Sequence, residues 1–316
     1  PYALAESSTE YGLKQLRAGC IPKAQRVYPE ILEYLGWCSW DAFQIRVSER
    51  AILQKCAELK EKHIPVRWAL IDDMWADVPG LNEIPADAAF LDMLHAMQKC
   101  SLNSFEADAE RFPEGLHHCI EQIKTRFGLQ VGIWHPTTGY WHGILPDGTV
   151  AKTYAEDLAP AANGQLIHGG AYEQAYSFYN AFHTFLKGCG ADFIKVDNQG
   201  FLAKYYHGIL PIGRVARNVH KAIDISADRS FGGALINCMG MPTESWWNRP
   251  NSAVARCSGD CMPESHEWFV KHLLQCAYNS FVQGTLMYCD WDMWWTDDGQ
   301  ALKNAVLHSV SGGPVY

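Results

Sequence analysis

Acidic side chains close four short apolar runs of this chain. Phe193-Ile194-Lys195-Val196-Asp197 ends in a carboxylate two residues beyond a lysine, and Ala69-Leu70-Ile71 runs into Asp72-Asp73. Ala253-Val254-Ala255 leads through Arg256 to Asp260, and Leu286-Met287-Tyr288-Cys289 ends in Asp290-Trp291-Asp292. Residues two apart on a strand share a face, so Lys195 and Asp197 point the same way. Burying an acid beside a fixed cation is costly unless the pair serves chemistry or a specific ion pair. Two carboxyl groups about 5 Å apart can cleave a glycosidic bond with retention of configuration. One attacks the anomeric carbon; the other protonates the leaving oxygen and later activates water. Asp197 suits the nucleophile, because Lys195 would favour its ionised form. Asp260 suits the acid, which requires a drier or more negative site, and Arg256 four residues earlier would orient it or hold a substrate hydroxyl. A single Lys-x-Asp is as often a structural ion pair; recurrence of the pattern is what favours catalysis. Adjacent Asp72 and Asp73 repel each other and are favoured where ligand hydroxyls satisfy both.

These acids need a scaffold that aims them at one mouth. Short apolar runs alternate with helical patterns, the mark of βα repetition. Strands are expected at 34–40, 66–72, 130–136, 191–197, 234–239, 252–257 and 284–290, and Gly313-Pro314-Val315-Tyr316 reads as the opening of an eighth. Ser48 is expected to cap a helix carrying Ile52, Cys56 and Leu59, and Gly128 to stop one carrying Leu116, Cys119, Ile120 and Ile123. Residues 76–111 form a connection long enough to be a lid or substrate-binding loop. Eight β units predict an α/β chain folded as a (β/α)8 TIM barrel over 34–316, with 1–33 as a lead-in segment. A doubly wound sheet would need a glycine-rich phosphate loop after its first strand, and none is present.

Bulk properties narrow the function. The 316 residues are 48% hydrophobic, enough for one barrel-sized core, and the formal net charge of -9 argues against a nucleic-acid partner. No run of about 18 apolar residues suggests a membrane span. Without an initiator methionine or signal pattern, the chain reads as a segment of a longer polypeptide. Eleven scattered cysteines point to buried thiols and a reducing, cytoplasmic compartment, with secretion left open by the missing start. No Cys/His spacing, including His117-His118 and His135, suits a metal. Twelve tryptophans, many at expected strand ends, suit stacking against sugar C–H faces as well as core filling.

Longer motifs then come into view. Gly36-Trp37-Cys38-Ser39-Trp40-Asp41-Ala42-Phe43, Phe112-Pro113-Glu114-Gly115-Leu116, Gly139-Tyr140-Trp141, Lys195-Val196-Asp197, Asp290-Trp291-Asp292-Met293 and Ser311-Gly312-Gly313-Pro314-Val315-Tyr316 occur in family order. From about residue 34 to the end the chain resembles raffinose synthases and related proteins of glycoside hydrolase family 36. The resemblance implies a retaining α-galactosidase-type barrel with Asp197 as nucleophile and Asp260 as acid/base. It implies that Asp72 and Asp73 accept hydrogen bonds from O4 and O6 of a galactose-like ring. Lys195 would reach O3 and O4, and Trp37, Trp134 and Trp291 would wall the pocket, with Asp292 and Arg256 among the substrate contacts. Cys238, in Cys238-Met239-Gly240-Met241, would face the 2-substituent.

Two loops depart from the family pattern. Ser258-Gly259-Asp260-Cys261 stands where raffinose synthases usually have Ser-Asp-Asp before an aromatic, and Pro136-Thr137-Thr138 where they have Ala-Leu-Cys. Both lie on the leaving-group side, which turns the expectation towards hydrolysis of terminal α-galactose. An α-N-acetylgalactosaminidase or galactosaminidase, a raffinose synthase-like galactosyl transferase, and a non-catalytic sugar-binding barrel are the alternatives. The partners so implied are an oligosaccharide or glycoconjugate, flanking β domains of the same polypeptide and a second copy in a homo-oligomer. No cofactor, metal, nucleic acid or membrane is implied.

Overall fold

A computed structural model describes residues 1–16 and 19–316 of the chain. Among the described residues nine strands follow in order: β1 (Gly36–Cys38), β2 (Trp68–Ile71), β3 (Gln130–Pro136), β4 (Leu158–Pro160), β5 (Leu166–His168), β6 (Phe193–Asp197), β7 (Leu235–Asn237), β8 (Val254–Arg256) and β9 (Tyr288–Asp290). Seven of them form one parallel sheet, β1-β2-β3-β6-β7-β8-β9, while β4 and β5 pair as an antiparallel hairpin within the β3-to-β6 crossover. Parallel neighbours require crossovers, and helices such as Glu49–Glu61, Gly115–Phe127, Tyr172–Gly188, Ile212–Phe231 and His266–Gln283 lie in them.

Local chemistry sets the helix ends. The Ser48 hydroxyl accepts a hydrogen bond from the Ala51 amide at 3.3 Å, and Gly128 ends its helix at φ 70°. Both were expected from the sequence.

All seven expected strands are present, though most are shorter at their edges. The eighth is not a strand. Segment 313–316 instead stands between the two sheet edges: the Gly36 amide donates to the Val315 carbonyl at 2.9 Å, and Tyr316 donates its hydroxyl to Asp290 at 2.9 Å. One backbone bond is a tether, not a ladder.

The interior below the strand ends is filled by aromatic rings. Trp68 packs edge-on to Phe193 at 5.1 Å and against Tyr316 at 5.5 Å. Two strand glycines make room for them. A Cβ on Gly36 would lie 2.2 Å from the Trp68 ring, and one on Gly132 would lie 2.1 Å from Phe193. The sheet is therefore packed at its centre, and any opening lies at one end.

The lead-in segment is docked, not loose. Arg26 is buried and donates to the carbonyls of Leu286, Ser252 and Arg249, at the N-terminal ends of β8 and β9. That is the end opposite the acids. All eleven cysteines are free, and all except Cys261 are buried. Among the described residues no helix is long and apolar enough to cross a membrane.

Candidate active site

At the C-terminal ends of the parallel strands lies a cavity of about 470 Å³, a size suited to a small ligand. Asp72, Asp73, Trp134, Lys195, Asp197, Cys238, Arg256, Asp260 and Asp292 all line it. Nine of the residues singled out by sequence are thus brought together from β2, β3, β6, β7, β8 and β9 and the turns that follow them. Register explains part of this: Trp134 pairs with Lys195, and Pro136 with Asp197, across β3 and β6.

Trp37 and Trp291 do not join them. Cys38 lies inside, its thiol 3.3 Å from Asp72, so its neighbour Trp37 on β1 turns outward and packs edge-on to Phe43. Trp291 likewise falls between Asp290 and Asp292. Its indole donates to the Ser280 hydroxyl at 3.2 Å and packs on Cys257, Cys276 and Cys289. Alternation along the strands overrules the expectation that both would wall the pocket.

Asp72 and Asp73 are already held by protein donors. Lys195 forms its ion pair with Asp72, at 2.9 Å, rather than with Asp197. Burial works against the Lys195 ammonium, but Asp72 and its other neighbours outweigh burial and keep its pKa well above the ordinary value. Asp73 accepts from the Tyr140 hydroxyl at 2.8 Å and the Trp141 indole at 2.7 Å. Burial still raises its pKa to about 7.

Asp197 accepts from the Trp134 indole at 3.2 Å and from the backbone amide of Asn198. Its carboxyl is raised, first by burial and then by the charge of Asp260, against an opposing pull from Lys195. The sequence expected Lys195 to set the direction; burial does. Asp260 differs from expectation too. Its side chain is 67% exposed and ion-paired with Arg256, so it does not occupy the drier site. Arg256 spans two acids, Asp260 and the buried Asp292. That bridge holds Asp292 below the ordinary carboxylate range despite its burial. The Asp292 carboxylate in turn fixes the Cys261 amide at 2.7 Å.

Several lining residues carried no site assignment in the sequence: Trp40, Asp41, Gln44, Trp141, Met239 and Trp295 among them. Asp41 is raised to about 7, by burial and then by Asp292. Trp40, Asp41 and Trp141 all stood inside motifs already singled out, so the signal for them was present. His135 points away from the cavity, bonded to His183 at 3.1 Å, which in turn meets Ser226 at 2.7 Å.

Backbone strain concentrates here. Gln44, Met74, Asn198, Met239, Glu264 and Asp292 have positive φ, and each lines the cavity or adjoins a lining residue. Such conformations cost about 1–3 kcal/mol each and persist where surrounding structure imposes them.

Comparison with known proteins fixes the family. Residues 20–316 match the family described as "Raffinose synthase or seed imbibition protein Sip1". This chain belongs to that family. It is 28% identical over 325 residues to the probable galactinol–sucrose galactosyltransferase 1 of Arabidopsis thaliana, covering 93% of this chain and 43% of the relative. It is 25% identical to the galactinol–sucrose galactosyltransferase of Pisum sativum, over 100% of this chain and 44% of that one. The chain thus spans less than half the length of these curated relatives. Among solved structures, the α-galactosidase of Thermus thermophilus superposes with a TM-score of 0.62 at 16% identity, covering 92% of this chain and 62% of that one. A β-L-arabinopyranosidase from Geobacillus stearothermophilus superposes with a TM-score of 0.58 at 18% identity, covering 89% and 70%. At such identities the structural likeness establishes the fold relationship alone. The chain is thus an α/β domain of the raffinose synthase family, and its curated relatives bear the names of galactosyl-transferring enzymes.

Proposed function

We propose that this chain is the catalytic domain of a galactosyltransferase of the glycoside hydrolase family 36 type, moving an α-galactosyl group between sugars with retention. The observation that carries the reading is the convergence of Asp197 and Asp260 on one cavity whose floor already presents Lys195, Asp72 and Asp73. Membership of the raffinose synthase family supports transfer as the outcome.

In this reading the Asp197 carboxylate attacks the anomeric carbon of a bound galactoside while Asp260 donates a proton to the departing oxygen. An acceptor hydroxyl then attacks the same carbon, the bond to Asp197 breaks, and Asp260 takes the acceptor proton. Asp72, Asp73 and Lys195 hold the O4, O6 and O3 side of the ring, Trp134 stacks on its face, and Cys238 borders the 2-position. Arg256, bridging Asp260 and Asp292, positions the acid/base. We further infer a barrel of the (β/α)8 type in which segment 313–316 occupies the place of the eighth strand, a reading supported by its bonds to Gly36 on β1 and to Asp290 at the end of β9.

Hydrolysis is the second reading, favoured by the 67% exposure of the Asp260 side chain, which admits water to the acid/base. Incubating the full-length protein with an activated α-galactoside, with and without sucrose, separates the two. Transfer predicts a galactosylated sucrose; free galactose alone rejects it. Asp197→Asn is expected to lower turnover by about 10³-fold or more while sugar binding persists. Retention of wild-type rates would remove Asp197 from the mechanism.

A further inference from the structure

Residues 76–111, expected as a lid or substrate-binding loop, are held to the rest of the domain by hydrogen bonds. Arg111 donates to the Met74 carbonyl at 2.6 Å, Asn82 to Asp108 at 2.7 Å and Asn103 to Asp77 at 2.7 Å. Short bridges pair Ala76 with Ala107 and Leu102 with Ile144. Within this frame sits the helix Phe90–Met97, whose Met93 and Met97 are buried. Phe90, Leu94 and Met97 stand at i, i+4 and i+7, so one helical face lines the cavity. Gln44 and Gln98 line the same cavity. The chemistry of this wall differs from the floor. Acids and a lysine line one part of the cavity, whereas an apolar helical face and two neutral residues, Gln44 and Gln98, belong to the rest of its lining, a combination suited to a sugar or cyclitol presenting C–H groups and hydroxyls.

Resting on the transferase reading above, we propose that the helix Phe90–Met97, with Gln44 and Gln98, forms the acceptor platform that decides between transfer and hydrolysis. Both fates consume the same intermediate. An acceptor or a water oxygen attacks the anomeric carbon, the carbon–oxygen bond to Asp197 breaks, and the attacking proton passes to Asp260. Exposure of Asp260 gives water ready access to this step. Only an acceptor seated on an apolar wall displaces that water and presents its hydroxyl in its place. Phe90, Leu94 and Gln98 are positioning residues on this account, since they touch the acceptor's body and not the reacting atoms.

The test is a partition ratio. The full-length protein and its Leu94→Ser, Phe90→Ala and Gln98→Ala variants are supplied with a nitrophenyl α-galactoside and sucrose. Nitrophenol, free galactose and galactosylated sucrose are then measured. Loss of the platform lowers the transfer-to-hydrolysis ratio about tenfold for Leu94→Ser, with smaller falls for the other two, whatever the rate of nitrophenol release. A merely destabilised variant loses both products alike and leaves the ratio unchanged. A ratio unchanged in all three variants, with wild-type transfer intact, overturns the platform and leaves the transferase reading standing. Free galactose alone from the wild type rejects the transferase reading, and the platform falls with it.

Discussion

Asp41 and Asp73 make the clearest residue-scale statement about how this cavity is built. Burial raises both from the ordinary 3.8 to about 7, and at Asp41 the charge of Asp292 adds to burial and outweighs the opposing pull of Lys195. A carboxyl whose folded pKa exceeds its unfolded one holds a proton that the unfolded chain has released. Stability therefore falls as pH rises from about 4 through 7. Asp41→Asn and Asp73→Asn remove one contribution each, so thermal midpoints of the variants should decline less across that window than those of the wild type. Parallel curves for wild type and variants would show that neither acid is held protonated. Asp197 is raised as well, first by burial and then by Asp260. An attacking carboxylate must be ionised, so activity should diminish at acid pH, and Asp260→Asn should extend it to lower pH for substrates whose leaving groups need no proton.

At the scale of the element, side-chain alternation sorts the tryptophans. Trp134 lies on the inner face of β3 and donates to Asp197, while Trp37 lies on the outer face of β1 against Phe43. Trp134→Phe keeps an aromatic wall but removes that donor, and should reduce kcat/KM by about tenfold or more. Trp37→Phe should stay within about twofold, because Trp37 does not line the cavity. Equal losses would show that strand parity misplaces one of them. The strands themselves were legible because each is a short apolar run bounded by helix stops and polar residues. Their inward faces were legible too, wherever an acid or lysine marked one position and its partner stood two residues away. Trp37 and Trp291 were misplaced because composition at a strand end says nothing of face; counting by twos from Cys38 and Asp292 would have turned both outward.

On the scale of the whole molecule, opposite ends of the sheet serve different purposes. The acids occupy the C-terminal ends, and Arg26 ties the lead-in segment to the N-terminal ends of β8 and β9 through three carbonyls. Arg26→Ala leaves those buried acceptors without their donor and should cost about 2–4 kcal/mol, read as a lower midpoint in denaturant. Donor cleavage per folded molecule should change little, since this end is remote from the cavity. Sequence alone determined the βα order, the seven strands, the acids that end them and the family motifs, because each is written in local spacing that any one segment displays by itself. It could not determine which charge meets which. Lys195 pairs with Asp72 across 123 residues, Arg256 bridges Asp260 to Asp292, and burial rather than a neighbouring lysine sets the direction of Asp197. Those outcomes depend on distances and exclusion of water between segments remote in the chain, and both come into being only when the sheet curls and the strand ends meet.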